Sequence, residues 1–441
     1  LWKPTESFQA TLKGEYVDRN TGGYAFRPGS RSASAPLRSA DIRTLTYDDP
    51  TYNHERASQT TLELRQEAFD GVTFRYLGGY QDKRVNNLYD LDGTIQPAAP
   101  TTFTRIAMDQ YVREQVETHE INVISPTGGR VDWIIGGYWQ QNKIIVDILQ
   151  TTDNFPTDID VDTKKRVTGV FAQIGYKLID SLKLNVGARS NTFKATGGGG
   201  VVIGRGLPFP PFNTTGLAVA DLSGSHNDKR ATGKVALEWT VDDNNLLYAF
   251  VARGYKPGGF SSTVLEFDPE TNWDYELGWK STLLDGHLRT QFGAFWNDYT
   301  GFQLDGLNPE TGRNQTFNAA NATVRGLEAS AQARVGGWGI DATVSYVDSS
   351  LSRVQFVDTR FLPPGTNLPQ CASGTSPGTP PSCFDYGPYL ATADGGSLLY
   401  SPRLTFNAGV KYTFELGGDA TLRPRMNLGF VGSQYTTLLY L

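Results

Sequence analysis

The acidic residues of this sequence include one cluster that could bind a metal ion. The run Asp158-Ile159-Asp160-Val161-Asp162 alternates acidic and apolar residues, and alternate side chains of an extended strand point to one side. Together with Asp153, these carboxylates could bind Ca²⁺, which prefers oxygen ligands. The run lacks the glycine and the distal glutamate of an EF-hand loop, so a solvated acidic loop stays open as the alternative. We predict no bound metal or cofactor and keep Asp158, Asp160 and Asp162 as the metal candidate.

The two cysteines, Cys371 and Cys383, bracket a stretch rich in Pro, Gly and Ser. This spacing predicts a disulfide formed in an oxidising compartment, with two free thiols as the alternative. On the chain-entropy account, closing about a dozen residues would stabilise the loop by about 2–3 kcal/mol.

The sequence offers no arrangement typical of catalysis. Its four histidines are scattered, no His/Cys spacing indicates zinc, and no Gly-rich phosphate loop opens a helix. The net charge is −6 and no basic stripe is present, which argues against nucleic-acid binding. No run of 18 apolar residues occurs, which excludes a helical membrane protein. We therefore predict a protein that is not an enzyme and does not bind nucleic acid.

Aromatic and basic residues in the long segments between predicted strands are the candidates for substrate contact, because binding residues concentrate on loops held by a rigid scaffold. Rings stack on sugars, aromatics or catechols, and guanidinium groups bind carboxylates. Ordinary loop packing explains each ring equally well. The candidates are Tyr24, Phe26, Arg27, Arg205, Phe209, Phe212, Arg360, Phe361, Tyr386 and Tyr389.

The elements that must position these residues are strands of alternating polarity. In residues 404–414, apolar side chains occupy even positions and small or polar ones occupy odd positions, as expected for a strand with one apolar face. A strand that crosses a bilayer needs about 9–11 residues, and many segments here exceed the globular mode of about 5–6. We predict about fifteen strands, beginning near Phe8, Arg56, Val72, Tyr111, Val131, Lys164, Leu182, Lys229, Asn245, Asn272, His287, Thr323, Gly339, Pro402 and Thr421.

The connections between these strands alternate between tight and long. The tight ones, such as Asp70-Gly71 and Asp285-Gly286, consist of residues that favour hairpin turns. Short turns on one side and long loops on the other are typical of an outer-membrane barrel. We predict an all-β, antiparallel transmembrane β-barrel over residues 1–441. Its predicted extracellular loops span about 19–54, 84–110, 151–163, 196–227, 256–271, 305–322 and 352–401.

Charged side chains indicate which face of the predicted barrel strands points into the lumen. A charge in hydrocarbon costs about 2–4 kcal/mol at the midplane, so polar residues that alternate with apolar ones should face the lumen. Trp133, Trp239 and Trp279 lie near strand ends, where an interfacial girdle favours tryptophan. Arg253 should face outward near lipid phosphates, unless a bulge at the following glycines turns it inward. The lumen candidates are Lys183, Asn185, Arg189, Lys234, Glu238, Arg289, Gln291, Asn407, Lys411, Arg425 and Asn427.

Five segments in order give the chain a family resemblance. They resemble barrel motifs of TonB-dependent receptors of the sphingomonad and caulobacter type, and the resemblance covers the whole chain. The segments are Tyr248–Phe260 (YAFVARGYKPGGF), Tyr275–Ser281 (YELGWKS), Ala294–Tyr299 (AFWNDY), Asn318–Glu328 (NAANATVRGLE) and Ser401–Thr405 (SPRLT).

The resemblance implies a Gram-negative outer-membrane receptor that takes up a scarce nutrient such as a siderophore, vitamin, saccharide or aromatic compound. It implies a plug domain that blocks the lumen and is pulled by TonB at the expense of the proton gradient. The plug, the TonB-binding segment, about four early strands and about three late ones would lie outside this sequence, giving about 22 strands in all, the number of a plugged transporter.

The same resemblance sets expectations for partners. TonB would bind the N-terminal segment, the lumen candidates would dock the plug or line a solvated pore, and outer-membrane lipid or lipopolysaccharide would surround the barrel. A surface lipoprotein is a further expected partner, and the substrate is a small molecule or an oligosaccharide. A passive porin and a secreted all-β enzyme or lectin remain the alternatives.

Overall fold

The computed structural model describes residues 1–23, 26–27, 35–37, 39–41, 43–95, 105–262, 265–308, 313–359, 361–362, 370–371 and 383–436. These residues form β-strands and three short 3₁₀ turns, Ala35–Leu37, Phe69–Gly71 and Gly387–Tyr389. No helix in these ranges is long and apolar enough to cross a membrane.

The strands are numbered in chain order. They are β1 Phe8–Thr21, β2 Tyr52–Glu67, β3 Thr73–Asp90, β4 Ile106–Ile124, β5 Val131–Thr152, β6 Phe155–Ile179, β7 Leu182–Ile203, β8 Leu217–Asp221, β9 Gly224–Asp242, β10 Asn245–Lys256, β11 Gly259–Ser262, β12 Leu265–Phe267, β13 Glu270–Leu283, β14 Leu288–Asn308, β15 Arg313–Val335, β16 Trp338–Leu351, β17 Val354–Val357, β18 Leu390–Ala393, β19 Leu404–Tyr412, β20 Phe414–Glu415, β21 Thr421–Leu422 and β22 Arg425–Val431.

One large antiparallel sheet contains most of these strands. Across the described residues its order is β1-β2-β3-β4-β5-β6-β7-β9-β10-β13-β14-β15-β16-β19-β22, and β8 pairs with β7 beside this path. Each of the fifteen predicted segments corresponds to one strand of the path, so the predicted all-β, antiparallel fold is confirmed. Strands β1 and β22 form the two edges and do not pair with each other within the described part of the chain, so the sheet is not closed.

Two of the predicted long loops are strands instead. Strands β5 and β6 pair through residues 151–163 and are joined at Asp153 and Asn154, whose φ angles of 50° and 68° suit a two-residue hairpin turn. Most of residues 305–322 likewise belongs to β14 and β15. Acidic and amide residues suggested loops there, but their alternation with apolar residues also satisfies a strand that extends into water.

The tight turns lie where they were predicted. The turn between β2 and β3 places Asp70 at φ 56° and Gly71 at φ 74°, and the turn between β13 and β14 places Asp285 and Gly286 at φ 54° and 86°. These left-handed conformations favour glycine and tolerate aspartate. These turns join the strands at one of their two ends, which we call the short-turn side of the sheet.

The register gives the sheet one apolar and one polar face. Val186, Val235, Val251, Tyr275 and Trp296 lie opposite one another on five successive strands. Large side chains on this face are exposed rather than packed on a second layer: Leu277 is 58% exposed and Leu428 is 58% exposed. A continuous exposed apolar surface of this size needs an apolar surrounding medium. We call it the apolar face, and its opposite the polar face.

Two rows of tryptophan border the apolar face. Trp133 and Trp279 lie near the short turns, whereas Trp139 and Trp273 lie six residues away on the same strands, about 20 Å along a strand. The Trp279 Nε1 donates a hydrogen bond to Asn245 Oδ1 at 3.0 Å, so its indole has both an apolar and a polar contact. At the strand tilt of about 35–45° usual in outer-membrane barrels, this spacing corresponds to a height of about 15 Å, which fits within their apolar band of roughly 25 Å.

Strand β17, which lies in the described part of residues 352–401, packs against β14 and β15. Leu304 of β14 contacts a cluster that contains Val354, Phe356 and Ala393, and Leu307 contacts a second cluster with Tyr386. Cys371 and Cys383 form a disulfide in this segment. The described residues of this connection therefore share two small apolar clusters with β14.

A charge on the apolar face should unfold the barrel more easily than the same charge on the polar face. We expect Leu277→Lys in the full receptor to lower the free energy of unfolding by about 2–4 kcal/mol, because the ammonium enters hydrocarbon. Denaturant titration in lipid vesicles measures the change. The matched control Ser330→Lys, on the polar face, should change it by less than about 1 kcal/mol. Equal losses in both variants would contradict the assignment of the faces.

The disulfide makes a separate prediction. The native receptor should show no reactive thiol at Cys371 or Cys383, and both should react after reduction. A dye-based thiol count with and without reductant measures this. Two thiols that react without reductant would disprove the pairing.

Candidate ligand-binding site

The segment between β10 and β13 folds back over the polar face at the long-loop side. Its β11–β12 hairpin lies beside β9, and two glycines make this close approach possible. A Cβ on Gly258 would lie 2.6 Å from His226 Nε2, and a Cβ on Gly224 would overlap the Phe260 ring. Residues with side chains would not fit at either position, so the glycines serve backbone packing.

Polar side chains fasten this segment to the sheet. The Gly258 N–H donates to Asp228 Oδ2 at 3.0 Å, and His226 Nε2 lies 3.1 Å from the same oxygen. The Gln303 Nε2 donates to Pro257 O at 2.9 Å and to Asp268 O at 3.1 Å. Asp228 and Gln303 are buried, where unmade hydrogen bonds are costly. These contacts hold the segment as a fixed wall.

The fastened segment and the sheet enclose a cavity of about 490 Å³, which we call the vestibule cavity. It opens on the polar face, at the end of the strands opposite the short-turn side. Its chemically informative lining residues are Lys165, Phe193, Lys256, Phe260, Phe267, Gln303, Asp305 and Thr316.

The vestibule cavity combines cations with aromatic rings. Lys165 and Lys256 are exposed and make no ion pair within 4.0 Å among the described residues. Phe260 and Phe267 supply ring faces and edges, which bind flat apolar groups. The arrangement suits a ligand that is anionic and partly aromatic, since ammonium groups attract anions and the rings bind its apolar part.

The loop candidates from the sequence do not converge on this cavity. Phe26 packs on Tyr89 with a centroid distance of 6.2 Å, and an Nη of Arg27 donates to Ser39 O at 2.8 Å. Tyr24 and Arg360 lie outside the described residues. The described contacts of Phe26 and Arg27 are therefore contacts within the protein.

The candidates of the β7–β9 connection pack against one another and against β6. Phe212 contacts Phe209 and Phe155 at centroid distances of 5.9 and 5.2 Å. Arg205 lies 3.6 Å from Asp158 and 3.8 Å from Asp160. The guanidinium therefore already has carboxylate partners within the protein.

The candidates of the longest connection divide into buried and exposed. Tyr386 is 0% exposed, and burial raises the pKa of its hydroxyl. The predicted substrate contact of Tyr386 requires an exposed ring, whereas this ring is enclosed in a core that includes Leu307 of β14. Tyr389 packs on Phe384 at 5.5 Å, whereas Phe361 is 63% exposed and stays a candidate.

Two carboxylates of the acidic run form ion pairs with an arginine of the protein. Asp158, Asp160 and Asp162 share one side of β6, as predicted, but Arg205 approaches two of them. Asp153, in the turn between β5 and β6, accepts a hydrogen bond from the Arg105 N–H at 2.8 Å.

A different acidic group has its ligand atoms close together. In the described part of the chain, carboxylate oxygens of Asp48, Asp49 and Asp90 lie within 4.8 Å of one another. Arg105 forms ion pairs with Asp48 and Asp49, and backbone N–H groups bind Asp90. Arg105 thus offsets one of the three carboxylate charges, and the backbone N–H groups supply hydrogen bonds to Asp90.

The lumen candidates all lie on the polar face. Lys183 pairs with Asp132 at 2.8 Å, and Arg425 pairs with Asp341 at 3.0 Å. Arg189 lies over the Tyr138 ring at 5.2 Å. Several of these cations therefore have partners within the sheet. The remaining polar-face members are Asn185, Lys234, Glu238, Arg289, Gln291, Asn407, Lys411 and Asn427.

Sequence reasoning missed most of the vestibule cavity. Lys165, Phe193 and Gln303 come from three different strands, and their pairing depends on register. The adjacent glycines Gly258 and Gly259 were the available signal, because a pair of glycines marks a close backbone approach.

Filling the space at Gly258 should release the segment. We expect Gly258→Ala to speed backbone hydrogen exchange in residues 256–262, since the added Cβ would contact His226. Mass spectrometry of peptides from the full receptor measures the exchange. The control Gly137→Ala, where the added Cβ meets nothing within 4 Å, should leave this region unchanged. Unchanged exchange in Gly258→Ala would contradict the close packing.

Comparison with known proteins gives the family. The profile described as "TonB dependent receptor-like, beta-barrel" matches residues 5–439. A pesticin receptor of Yersinia enterocolitica is 24% identical over 251 residues, which are 54% of this chain and 34% of that receptor.

Solved structures share the fold. The ferric yersiniabactin uptake receptor FyuA of Yersinia pestis superposes with a TM-score of 0.70 at 16% identity, over 98% of this chain and 57% of that one. The siderophore receptor PiuA of Acinetobacter baumannii gives a TM-score of 0.64 at 14% identity, over 92% of this chain and 60% of that one. The chain thus spans about a third of the curated relative and under two thirds of these structures.

The relatives are receptors and transporters rather than enzymes, and barrels of this family are proteins of the Gram-negative outer membrane. The apolar face and the tryptophan rows are the physical counterpart of that location. The chain belongs to the β-barrel family of TonB-dependent receptors.

Proposed function

We propose that this chain forms most of the barrel of a TonB-dependent receptor that takes up a small anionic, partly aromatic nutrient across the outer membrane. The vestibule cavity is the observation that carries the proposal, because its two lysines outnumber the single carboxylate of its lining, Asp305, and lie beside aromatic rings. An iron–siderophore complex has this chemistry. Siderophore receptors among the structural relatives favour the same class.

The energy source and the closure of the pore belong to the same proposal. TonB acts through a plug and an N-terminal segment, and it draws on the proton gradient. In lipid, the free edges of β1 and β22 would leave backbone groups unsatisfied. The proposal therefore includes further strands that complete a barrel of about 22, whose wide lumen needs a plug.

The polar face provides the docking wall for that plug. Arg289 and Gln291 lie on this face of β14, midway between paired cations such as Lys183 and Arg425. Both side chains line a cavity that also contains Asp242 and Asp243, where groups of a plug could reach them. We assign them to plug contact.

Charge reversal in the vestibule cavity tests ligand binding. We expect the double variant Lys165→Glu, Lys256→Glu of the full receptor to bind a ferric catecholate at least about tenfold more weakly, equivalent to about 1.4 kcal/mol. Equilibrium binding to the detergent-purified receptor measures this, with ferric citrate as a smaller anion for comparison. The control Lys177→Glu, at the short-turn end of β6, should bind like the unchanged receptor.

Growth supplies the second readout. A strain that lacks the receptor should regain growth on the bound iron source when the receptor is supplied, but only if TonB is present. Growth that persists without TonB would identify a passive porin instead. Unchanged binding in the double variant would move the ligand site away from the vestibule cavity.

A further inference from the structure

A group of cations lies on the apolar side of the sheet, just beyond the tryptophan row nearest the long loops. It comprises five exposed residues on four strands, which we call the basic patch. The register places the patch on the same face as Trp139 and Val170. Its members are Lys143, Lys164, Arg166, Lys194 and Lys229.

Like charges oppose each other directly across strands in this patch. Lys143 lies opposite Lys164, and Arg166 lies opposite Lys194. Side chains in such positions have Cβ atoms about 4.5–5.5 Å apart, and like charges there destabilise the sheet. Two such pairs side by side give this surface a local excess of positive charge, which a bound anion would offset.

No carboxylate of the described residues forms an ion pair with the patch, although Asp162 lies on the same side of β6, two residues from Lys164. Among the described residues, no member of the patch makes an ion pair within 4.0 Å, and the hydrogen bond of Arg166 goes to the neutral amide of Gln141 at 3.1 Å. The nearby Glu117 is bound to His119 at 3.0 Å.

Elsewhere on the same face, cations at this end of the strands have carboxylate partners. Arg56 pairs with Asp18 at 3.3 Å, and Arg325 pairs with Asp348 at 2.8 Å. Arg113 pairs with Asp82 at 2.6 Å. The unneutralised charge is therefore a local property of strands β5, β6, β7 and β9 rather than of the whole rim.

The position of the patch selects the kind of anion. Immediately towards the short turns, the same strands expose Val170 (66%), Ile135 (55%) and Ile174 (52%), which lie in the apolar band. A ligand that fits both parts carries anionic groups next to hydrocarbon chains. A lipid with phosphate groups has this form, and juxtamembrane cations attract such headgroups.

We propose that the basic patch binds the phosphate groups of an outer-leaflet lipid whose acyl chains lie along Val170 and Ile174. The inference uses the membrane location of the barrel and is independent of the nutrient. Arg253 is a less suitable anchor, because its guanidinium lies over the Trp273 ring at 5.8 Å and no like charge opposes it.

Native mass spectrometry of the full receptor tests the proposal with purified lipid A, a lipid that carries two phosphates. We expect Lys143→Gln, Lys164→Gln to bind lipid A about tenfold more weakly than the unchanged receptor, because each cation near the headgroups contributes separately. The control Arg56→Gln, Arg84→Gln removes the same charge from the part of the rim that has acidic partners, and it should bind normally.

Further arms keep the test decisive. Inorganic phosphate at equal concentration should not displace lipid A, since it lacks acyl chains, and displacement would show a site for free anions. Equal lipid binding by both double variants would overturn the proposal and leave the patch a solvated surface.

If the first variant does not fold, as judged by heat-dependent gel mobility, the single variants Lys194→Gln and Lys229→Gln give the same comparison. Uptake by these variants should stay normal, which separates this result from failure of the vestibule assignment.

Discussion

The structure depends on one constraint: a strand in hydrocarbon must satisfy its backbone groups by pairing with neighbouring strands. The register shows that pairing across fifteen neighbouring strands of the sheet in the described part of the chain. Because side chains alternate along every strand, the same pairing sorts them onto two faces. The apolar band, the tryptophan rows and the lumen-facing charges all follow from this sorting.

The constraint weakens beyond the apolar band, and the functional features lie there. Strands β5, β6 and β7 continue past the tryptophan row, so their outward positions can hold charges such as Lys164 and Lys194. On the polar face, water and a plug can satisfy exposed groups, so a segment can fold inward and attach to Asp228 and Gln303. The vestibule cavity and the basic patch are thus two uses of the same strand ends.

Much of the fold could be predicted from sequence because its signals are local. Period-two polarity and turn residues such as Asp70-Gly71 identified the strands and the short-turn side. The extent of the long-loop side could not be predicted, because a polar strand in water and a polar loop have similar composition. Residues 151–163 show this: their alternation of aspartate with isoleucine and valine fits both structures.

The candidate site was harder to predict for a different reason. Aromatic residues of the loops were equally suited to packing and to binding, and the structure uses Tyr386 and Phe212 for packing. Lys165 and Phe193 form a site only through cross-strand register and the inward fold at Gly258. Such long-range pairing leaves no mark in a single stretch of sequence.

The central claim is that one face of this sheet contacts lipid while the other contacts water or the plug. Spin labels placed singly at residues 273–280 of β13, in the full receptor reconstituted into vesicles, test it most directly. The account predicts that labels at Trp273, Tyr275, Leu277 and Trp279 collide mainly with oxygen, which dissolves in lipid. Labels at the intervening positions should be shielded from oxygen. Similar oxygen accessibility at all eight positions would contradict the account.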